Sequence, residues 1–233
     1  MTRVGDAADD RGGIVIGQVG MQALVTGFEP FGGERLNPSL EALRRLPARL
    51  GALDIATQAL PVAYGAALPA LRAAIAAAKP DIVLCTGLAG GRAELSLERV
   101  AINIDDARIL DNDGNQPIDR AVVAGGPAAY FATLPIKAAV AALREAGLPA
   151  AVSNTAGTFL CNHVFYGLMH EAAAGGVGFR GGFLHVPYLP NQAARLPAIP
   201  SMALEHIVEG IAIILEVAAA RSDDLAVSEG TLS

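Results

Sequence analysis

Cysteine, basic clusters and long uncharged apolar runs are scarce in this sequence, and each shortage excludes a class of protein. Two cysteines in 233 residues, Cys85 and Cys161, are too few for a disulfide-stabilised scaffold, so reduced thiols are expected. The 17 Lys and Arg residues are outnumbered by 23 Asp and Glu residues, and no basic cluster is interleaved with aromatic residues. Neither nucleic acid nor an anionic membrane surface is therefore an expected partner.

The apolar stretches are too often interrupted to cross a membrane. Residues 207–220, IVEGIAIILEVAAA, come closest, but Glu209 and Glu216 break them well short of the roughly 18 uncharged residues that a span requires. The first 20 residues lack the basic start, the apolar centre and the small-residue cleavage site of a secretory signal. We therefore expect a cytoplasmic protein.

Length and composition predict one domain with two flanking segments. With 52% hydrophobic residues, the chain is long enough for a single α/β domain with a sizeable core. Residues 1–20 are rich in Gly and Asp and are predicted to be a flexible extension. Residues 21–220 are predicted to form the domain, and residues 221–233 a C-terminal tail.

Strand-like and helix-like patterns alternate through the predicted domain. Short apolar runs predict strands at 22–28, 54–62, 81–89, 97–104 and 181–190, and residues 149–157 predict a strand followed by a polar turn. Helical spacing, with Asn37 as a cap and Gly147 as a terminator, predicts helices at 37–50, 65–80, 134–147, 158–175 and 200–220. Residues 106–130 break this rhythm and predict a long irregular loop or a hairpin. The alternation predicts an α/β fold in which helices cover both faces of an open, twisted, mostly parallel sheet, in three layers.

Cys161 lies in VSNTAGTFLCNHVFYGLMH, residues 152–170, between a predicted strand and a predicted helix. One interpretation is a small buried hydrophobic residue, because free cysteines are often buried. The other is a nucleophile, since a thiol near the N–H groups of a helix N-terminus is expected to have a lowered pKa. Cys85 lies mid-strand with nothing to activate it, and we expect it in the core.

A thiol nucleophile needs a base, and the chain has four histidines. His163 is two residues from Cys161, which on a helix points it to the far side. His170 lies at the far end of the same helix, and His206 lies on the last helix among polar residues. His185 lies near the C-terminal end of a predicted strand, where parallel sheets collect ligands. A purely structural histidine remains an equal alternative there.

A carboxylate should orient the base, and periodicity alone does not choose one. Glu98 starts an otherwise apolar run, while Asp105, Asp106 and Asp111 compete with it. No cluster of His, Cys and carboxylates has metal-ligand spacing, so neither a metal nor a cofactor is expected.

Glycine-bearing turns follow two of the predicted strands. The turns at 26–33 and 86–92 match neither a P-loop nor a dinucleotide fingerprint, but their backbone could approach a small ligand closely. Phe28 and Phe31 in the first turn would form an apolar wall or belong to the core.

Five blocks together resemble the pyroglutamyl peptidase I (pyrrolidone-carboxylate peptidase) family. They are LVTGFEPFGGERLNPS, GLAGGRAELSLERVAINIDDARILDN, PAAYFATLPIKAAV, VSNTAGTFLCNHVFYGLMH and FLHVPYLPNQ, and they occur in this order. The resemblance as a whole runs from about Leu24 to about Glu216. The resemblance implies a cytosolic cysteine peptidase that removes N-terminal pyroglutamyl residues from peptides and forms homo-oligomers, often tetramers.

The same resemblance implies a role for individual residues. Cys161, His185 and Glu98 match the family's catalytic triad, and Arg108 matches an arginine close to the nucleophile that would support the oxyanion. Residues that line or support the lactam pocket match Phe28, Phe31 and Asn37.

Two positions depart from the family pattern. Leu88 stands where the family usually has Gln in the pocket, which would weaken lactam binding if the side-chain amide is used. Leu110 stands where it usually has Pro, which would loosen that loop.

Three other functions remain open from the sequence. An amidase of another cyclic or blocked acyl group has only Leu88 in its favour. A catalytically silent small-molecule-binding homologue is opposed by the intact Cys161, His185 and Glu98. A nucleoside-binding α/β protein is compatible with the fold alone.

Overall fold

The computed structural model describes residues 20–175 and 178–230, and most of residues 1–20 lie outside that part. Its strands are β1 (Met21–Phe28), β2 (Arg49–Leu50), β3 (Leu53–Leu60), β4 (Ile82–Leu88), β5 (Leu95–Glu98), β6 (Val100–Ile102), β7 (Ala129–Phe131), β8 (Ala150–Ser153) and β9 (Arg180–Val186). Its helices are α1 (Pro38–Leu43), α2 (Tyr64–Ala78), α3 (Ile136–Glu145), α4 (Leu160–Ala173), α5 (Pro190–Ala193) and α6 (Leu204–Ala220).

Seven strands form the main sheet in the order β2-β3-β1-β4-β9-β5-β8. Strands β3, β1, β4 and β9 run parallel to one another, so their carboxyl ends meet at one edge. Strand β5 runs antiparallel to β9 and parallel to β8, and β2 runs antiparallel to β3. The predicted mostly parallel sheet is confirmed, with reversals that periodicity does not reveal.

Helices cover both faces of this sheet, which confirms the three-layer prediction. Helices α1, α3 and α6 contribute to one buried apolar cluster, and α2 and α4 contribute to the other. The strands supply both clusters because buried parallel strands present apolar side chains on both faces.

The first predicted helix is shorter than its pattern indicates. Asn37 caps α1 as expected, because its Oδ1 accepts a hydrogen bond from Ser39 N at 3.1 Å. The helix ends at Leu43 rather than continuing to residue 50, since Pro47 cannot donate a helical hydrogen bond and disfavours helix before it. Residues 49–50 instead form β2.

The prediction of one strand over 97–104 is wrong. Strand β5 ends at Glu98, and the chain leaves the main sheet to form β6, which pairs with β7 in a separate two-stranded sheet. The Asn162 side chain accepts from Ile102 N at 3.0 Å and donates to Ile102 O at 2.9 Å, which holds β6 against α4. Residues 106–128 form an irregular loop, one of the two predicted alternatives.

The described part of the tail packs on α3. The Asp224 carboxylate accepts from the backbone N–H groups of Lys137 and Ala138 at 2.9–3.1 Å. Glu229 pairs with Arg144 near the other end of that helix, at 2.6 Å. Helix α3 has no side-chain cap from its own N-cap residue, so the tail satisfies N–H groups that α3 leaves free.

Within residues 20–175 and 178–230, no helix combines the length and the hydropathy needed to cross a membrane. In the same part of the chain, no three His, Cys, Asp or Glu side chains come together as potential metal ligands.

Candidate active site

Cys161 lies against the carboxyl edge of the parallel strands, beside His185. Gly87 of β4 pairs in register with His185 of β9. A Cβ atom on Gly87 would lie 2.9 Å from Cys161 Sγ and 3.0 Å from Phe183 Cζ. The absence of a side chain at Gly87 therefore lets the thiol approach the sheet next to the histidine.

Glu98 and His185 form a buried pair across β5 and β9. His185 Nδ1 and Glu98 Oε1 are 2.7 Å apart, and both side chains are almost fully buried. Glu98 lies opposite Phe183 in the ladder, so His185 is its diagonal neighbour and within reach of its long side chain. An ionised carboxylate can only accept, so the proton is on Nδ1 and Nε2 is left as the basic nitrogen.

Arg92, a residue that the sequence did not single out, completes this group. Its Nη1 donates to Glu98 Oε1 at 2.7 Å, and its Nη2 donates to the Thr155 carbonyl at 3.0 Å. Arg92 lies in the Gly-rich turn at 86–92, where the sequence drew attention to glycines rather than to charge. The one signal in the sequence that could have indicated this role for Arg92 is Glu98, the carboxylate six residues later to which it bonds.

The expected lowering of the Cys161 pKa is wrong. Burial raises the pKa of the thiol to about 12, the Glu98 charge raises it further, and Arg92 partly opposes them. Burial also lowers the pKa of His185, against the opposing hydrogen bond and charge of Glu98. Burial therefore favours the neutral form of both groups, although Cys161 itself is half-buried rather than fully enclosed.

The thiol is carried by the first turn of α4. The residue before the helix, Phe159, provides no side-chain cap. Leu160 and Cys161 are the first two residues of the helix, where backbone N–H groups have no partner within the helix. Such N–H groups, together with the positive end of the helix dipole, can stabilise an oxyanion.

Aromatic side chains line the approach to Cys161 from the β1 side. Phe28 is buried at the end of β1, in the same apolar cluster as Phe31, Phe159 and Cys161. The ring centroids of Phe31 and Phe159 are 6.3 Å apart, and Tyr64 packs edge-on against Phe159 at 5.8 Å. The sequence suggested the first two phenylalanines, whereas Phe159 was missed although it stands two residues before the cysteine.

The remaining predicted site residues lie at the start of α1, at the end of β4 and in the 106–128 loop. Asn37 is buried, and its Nδ2 donates to Glu29 O at 3.1 Å, so it supports the turn that carries Phe31. Leu88 is partly buried at the end of β4. Arg108 is exposed in the 106–128 loop, and Leu110 nearby is 59% exposed.

Two of the three competing acids, Asp105 and Asp111, have structural partners elsewhere. Asp105 is fully buried and lies 3.0 Å from His163 Nδ1, which explains that histidine without a catalytic role. Asp111 accepts from Tyr64 N at 2.9 Å and from Asn115 N at 2.7 Å, and so organises its own loop.

The other two histidines lie away from Cys161 in the fold. Near the end of α4, His170 Nδ1 lies 2.9 Å from Tyr130 Oη. His206 is exposed on α6, on the opposite face of the sheet.

Comparison with known proteins gives one consistent family. The pyroglutamyl peptidase family model matches residues 21–221. A pyrrolidone-carboxylate peptidase 1 from Ralstonia nicotianae is 56% identical over 210 residues, covering 90% of this chain and 98% of that protein. A pyrrolidone-carboxylate peptidase from Erwinia tasmaniensis is 54% identical over 210 residues, with the same coverage.

Solved structures agree with the sequence comparison. The pyroglutamyl peptidase I of Bacillus amyloliquefaciens superimposes with a TM-score of 0.87 at 47% identity, covering 89% of this chain and 99% of that chain. The pyrrolidone carboxyl peptidase of Thermococcus litoralis superimposes with a TM-score of 0.85 at 38% identity and the same coverage. The α/β fold, the buried His–Glu pair and these matches lead to one conclusion: the chain belongs to the pyroglutamyl peptidase family, whose members are hydrolases.

Proposed function

We propose that this protein is a cysteine peptidase that removes N-terminal pyroglutamyl residues from peptides, with Cys161, His185 and Glu98 as its triad. The observation that carries the proposal is the 2.7 Å His185–Glu98 pair, next to a thiol seated over Gly87. Membership of the family supports the choice of substrate. The neutral resting state favours a mechanism in which the base removes the proton during attack.

The first half of the reaction forms a thioester. His185 Nε2 takes the Cys161 proton as sulfur bonds to the pyroglutamyl carbonyl carbon, and the carbonyl electrons move to its oxygen. The oxyanion then re-forms the C=O bond and the C–N bond breaks, while His185 gives its proton to the leaving amine. Glu98 fixes the Nδ1–H tautomer and stabilises the imidazolium that exists between these two transfers.

The second half hydrolyses the thioester. His185 accepts a proton from water as the water oxygen bonds to the carbonyl carbon. Collapse of this second oxyanion breaks the C–S bond, and His185 returns the proton to sulfur. Free pyroglutamate leaves and the neutral thiol and imidazole are restored.

The oxyanion is proposed to bind at the start of α4. The Cys161 backbone N–H is the first donor, because the uncapped helix end leaves it available. Arg108 is the second proposed donor, because Asp106, two residues before it, bonds to Thr158 just before α4. Each such donor contributes about 3–4 kcal/mol to the stability of the transition state.

The aromatic group is proposed to hold the lactam ring. Pyroglutamate has no free α-amine, so an uncharged wall formed by Phe28, Phe31 and Phe159 suits it. Asn37 supports the turn that carries Phe31, and Leu88 lies where backbone groups of the 86–92 turn can bond the lactam amide.

A fluorogenic pyroglutamyl amide under reducing conditions tests the proposal directly. We expect hydrolysis by the wild type, none by Cys161→Ser, and none of the matched prolyl amide, which lacks the lactam carbonyl. Inactivity of a folded, reduced wild type would refute the assignment.

A panel of other cyclic and blocked acyl amides tests the amidase alternative, which Leu88 alone favours. Preference for one of them over the pyroglutamyl substrate would establish that alternative. A wild type that binds pyroglutamate without hydrolysing the amide would establish the silent binding homologue.

We further propose that the protein acts in the cytoplasm as a homo-oligomer, with a tetramer as the expected state. Exposed apolar side chains on the 106–128 loop, Ile109, Leu110 and Ile118, offer surface for self-association. Light scattering across a concentration series gives the number of subunits, and a monomer at all concentrations would refute this part.

A further inference from the structure

The Glu98 carboxylate is held through a single oxygen. Its Oε1 accepts from both Arg92 Nη1 and His185 Nδ1, each at 2.7 Å. Its Oε2 is buried and has no hydrogen-bond partner among residues 20–175 and 178–230. Because no second protein group fixes the plane of this carboxylate, its orientation toward His185 depends on the Arg92 guanidinium.

The same guanidinium reaches the turn that precedes α4. Arg92 Nη2 donates to Thr155 O at 3.0 Å, and Thr155 lies between the end of β8 and the helix that carries Cys161. Arg92 thus bridges the residue that orients the base and the segment that leads to the nucleophile. A planar fork can make both contacts at once, whereas an ammonium is a single point charge.

We propose that Arg92 is a positioning residue: it fixes the Glu98 carboxylate against His185 and limits how strongly that carboxylate favours the protonated imidazole. The inference rests on the proposed function, since it concerns the same triad. Arg92 makes no bond to substrate in this mechanism and acts through Glu98.

The charged groups around His185 determine the direction in which its pKa should change when Arg92 is removed. Glu98 on β5 raises the pKa of His185, while Arg92 in the β4–β5 connection lowers it. Cys161 on α4 and Cys85 on β4 have pKa values raised to about 12, so both thiols are uncharged near neutral pH. Loss of the Arg92 charge therefore leaves Glu98 unopposed, and the pKa of His185 rises.

A cavity beside Arg92 gives small molecules access to the contact between Arg92 and Glu98. It has a volume of about 350 Å³ and is lined by Arg92, Glu94 and residues of β5, β8 and the turn after β8. Arg92 is 29% exposed there, whereas Glu98 is fully buried. A guanidinium ion in solution can therefore reach the place of the Arg92 head group when the side chain is removed.

The first test compares Arg92→Met and Arg92→Lys with the wild type on the pyroglutamyl amide. For Arg92→Met we expect kcat to fall about tenfold to a hundredfold, as for loss of a charge-assisted hydrogen bond, with KM little changed. The acid limb of its pH profile should move to higher pH. Arg92→Lys should keep the wild-type limb, because the charge remains, and should lose less of kcat.

Arg72→Met is the matched control. Arg72 on α2 pairs with Glu171 on α4 at the protein surface, so this change removes the same charge from a surface ion pair. For Arg72→Met we expect wild-type kinetics and an acid limb of the pH profile at the same pH as in the wild type. A fall in Arg92→Met activity that is equal at every pH, with no advantage for Arg92→Lys, would indicate a merely structural role and overturn the proposal.

The second test is chemical rescue. Methylguanidinium added to Arg92→Ala should restore kcat in a saturable manner, and methylammonium at the same concentration should restore less. Equal or absent rescue by the two ions, in a variant whose far-ultraviolet circular dichroism matches the wild type, would contradict the bridging role.

A readout independent of turnover separates this inference from the proposed function. The His185 Cε1–H resonance, assigned by its loss in His185→Gln, reports the pKa of His185 by NMR titration. We expect a higher pKa in Arg92→Met than in the wild type even if no amide is hydrolysed. An inactive wild type would therefore refute the peptidase, whereas an unchanged His185 pKa would refute the role of Arg92.

Discussion

A Cβ atom at Gly87 would lie 2.9 Å from Cys161 Sγ and 3.0 Å from Phe183 Cζ, closer than side-chain carbons normally pack. The position beside the proposed nucleophile therefore requires glycine because of space, and not because of backbone conformation. Cysteine and histidine draw attention in the sequence because the chain has only two of the first and four of the second. Gly87 is informative only once its neighbours are known.

Gly87→Ala should lower kcat/KM by about a hundredfold, because displacing a reacting atom by about 1 Å has an effect of that size. Gly65→Ala is the matched control, since a Cβ at Gly65, in the first turn of α2, meets no atom within 4 Å. Kinetics on the pyroglutamyl amide and thermal unfolding of both variants provide the measurement. Wild-type activity in a folded Gly87→Ala protein would contradict the placement of the thiol.

Pairings between elements explain how distant sequence segments meet at Glu98. Hydrophobic periodicity located β4, β8, β9, α2, α4 and α6 to within a few residues, since each buries an apolar face of its own. It could not show that β5 runs against β9, because strand direction is set by partners and leaves no mark on the strand itself. That reversal is what places Glu98 diagonally opposite His185.

Helix α3 and the tail illustrate a second pairing that pattern alone could not reveal. The N-terminus of α3 lacks a cap from its own N-cap residue, and Asp224, 87 positions after Lys137, accepts from its N–H groups. The family model ends at residue 221, so this contact belongs to a segment outside it.

Asp224→Ala should lower the free energy of unfolding by about 1 kcal/mol, the usual effect of losing a helix N-cap. Asp223→Ala, at the exposed neighbouring position, is the control and should have little effect. Urea denaturation of both variants measures the difference, and catalysis should be unchanged in both. Equal stability of the two variants would argue against capping by the tail.

Burial by the whole molecule determines the charge state of the site. The helix terminus next to Cys161 favours a thiolate, and this local effect led to the expectation of a lowered pKa. Packing of α4 against the sheet leaves the Cys161 thiol half-buried, and desolvation is the largest of the effects that raise its pKa. The local sequence pattern predicts the effect of the helix dipole on the Cys161 pKa. It does not predict how much water the rest of the fold excludes from the thiol.

The thiolate absorbance of Cys161 should therefore be absent at neutral pH. With a pKa raised to about 12, the ionised fraction of the thiol near pH 7 is about one part in 10⁵. The ultraviolet difference between wild type and Cys161→Ser, followed across a pH titration, should rise only in strongly alkaline solution. A difference already present at neutral pH would indicate a thiolate–imidazolium pair instead.

The lowered pKa of His185 adds a second expectation from the same burial. A lowered pKa keeps the imidazole neutral, and so able to accept a proton, at pH values below the ordinary histidine value of about 6.5. The acid limb of kcat/KM for the free enzyme should consequently lie below that value. The Arg92 variants described above move this same limb.

The sequence by itself determined the class of fold and the family resemblance, because both depend on periodicity along the chain and on motifs in a fixed order. The choice of Glu98, Cys161 and His185 as the proposed triad came from that resemblance, since periodicity did not choose among the carboxylates. Only the tertiary structure decided that Arg92 bonds to Glu98, that Gly87 makes room for the thiol and that burial raises the pKa of Cys161 and lowers that of His185. Those properties depend on which groups meet and on how much water is excluded when the strands assemble. A local stretch of sequence determines neither these contacts nor the amount of water that is excluded.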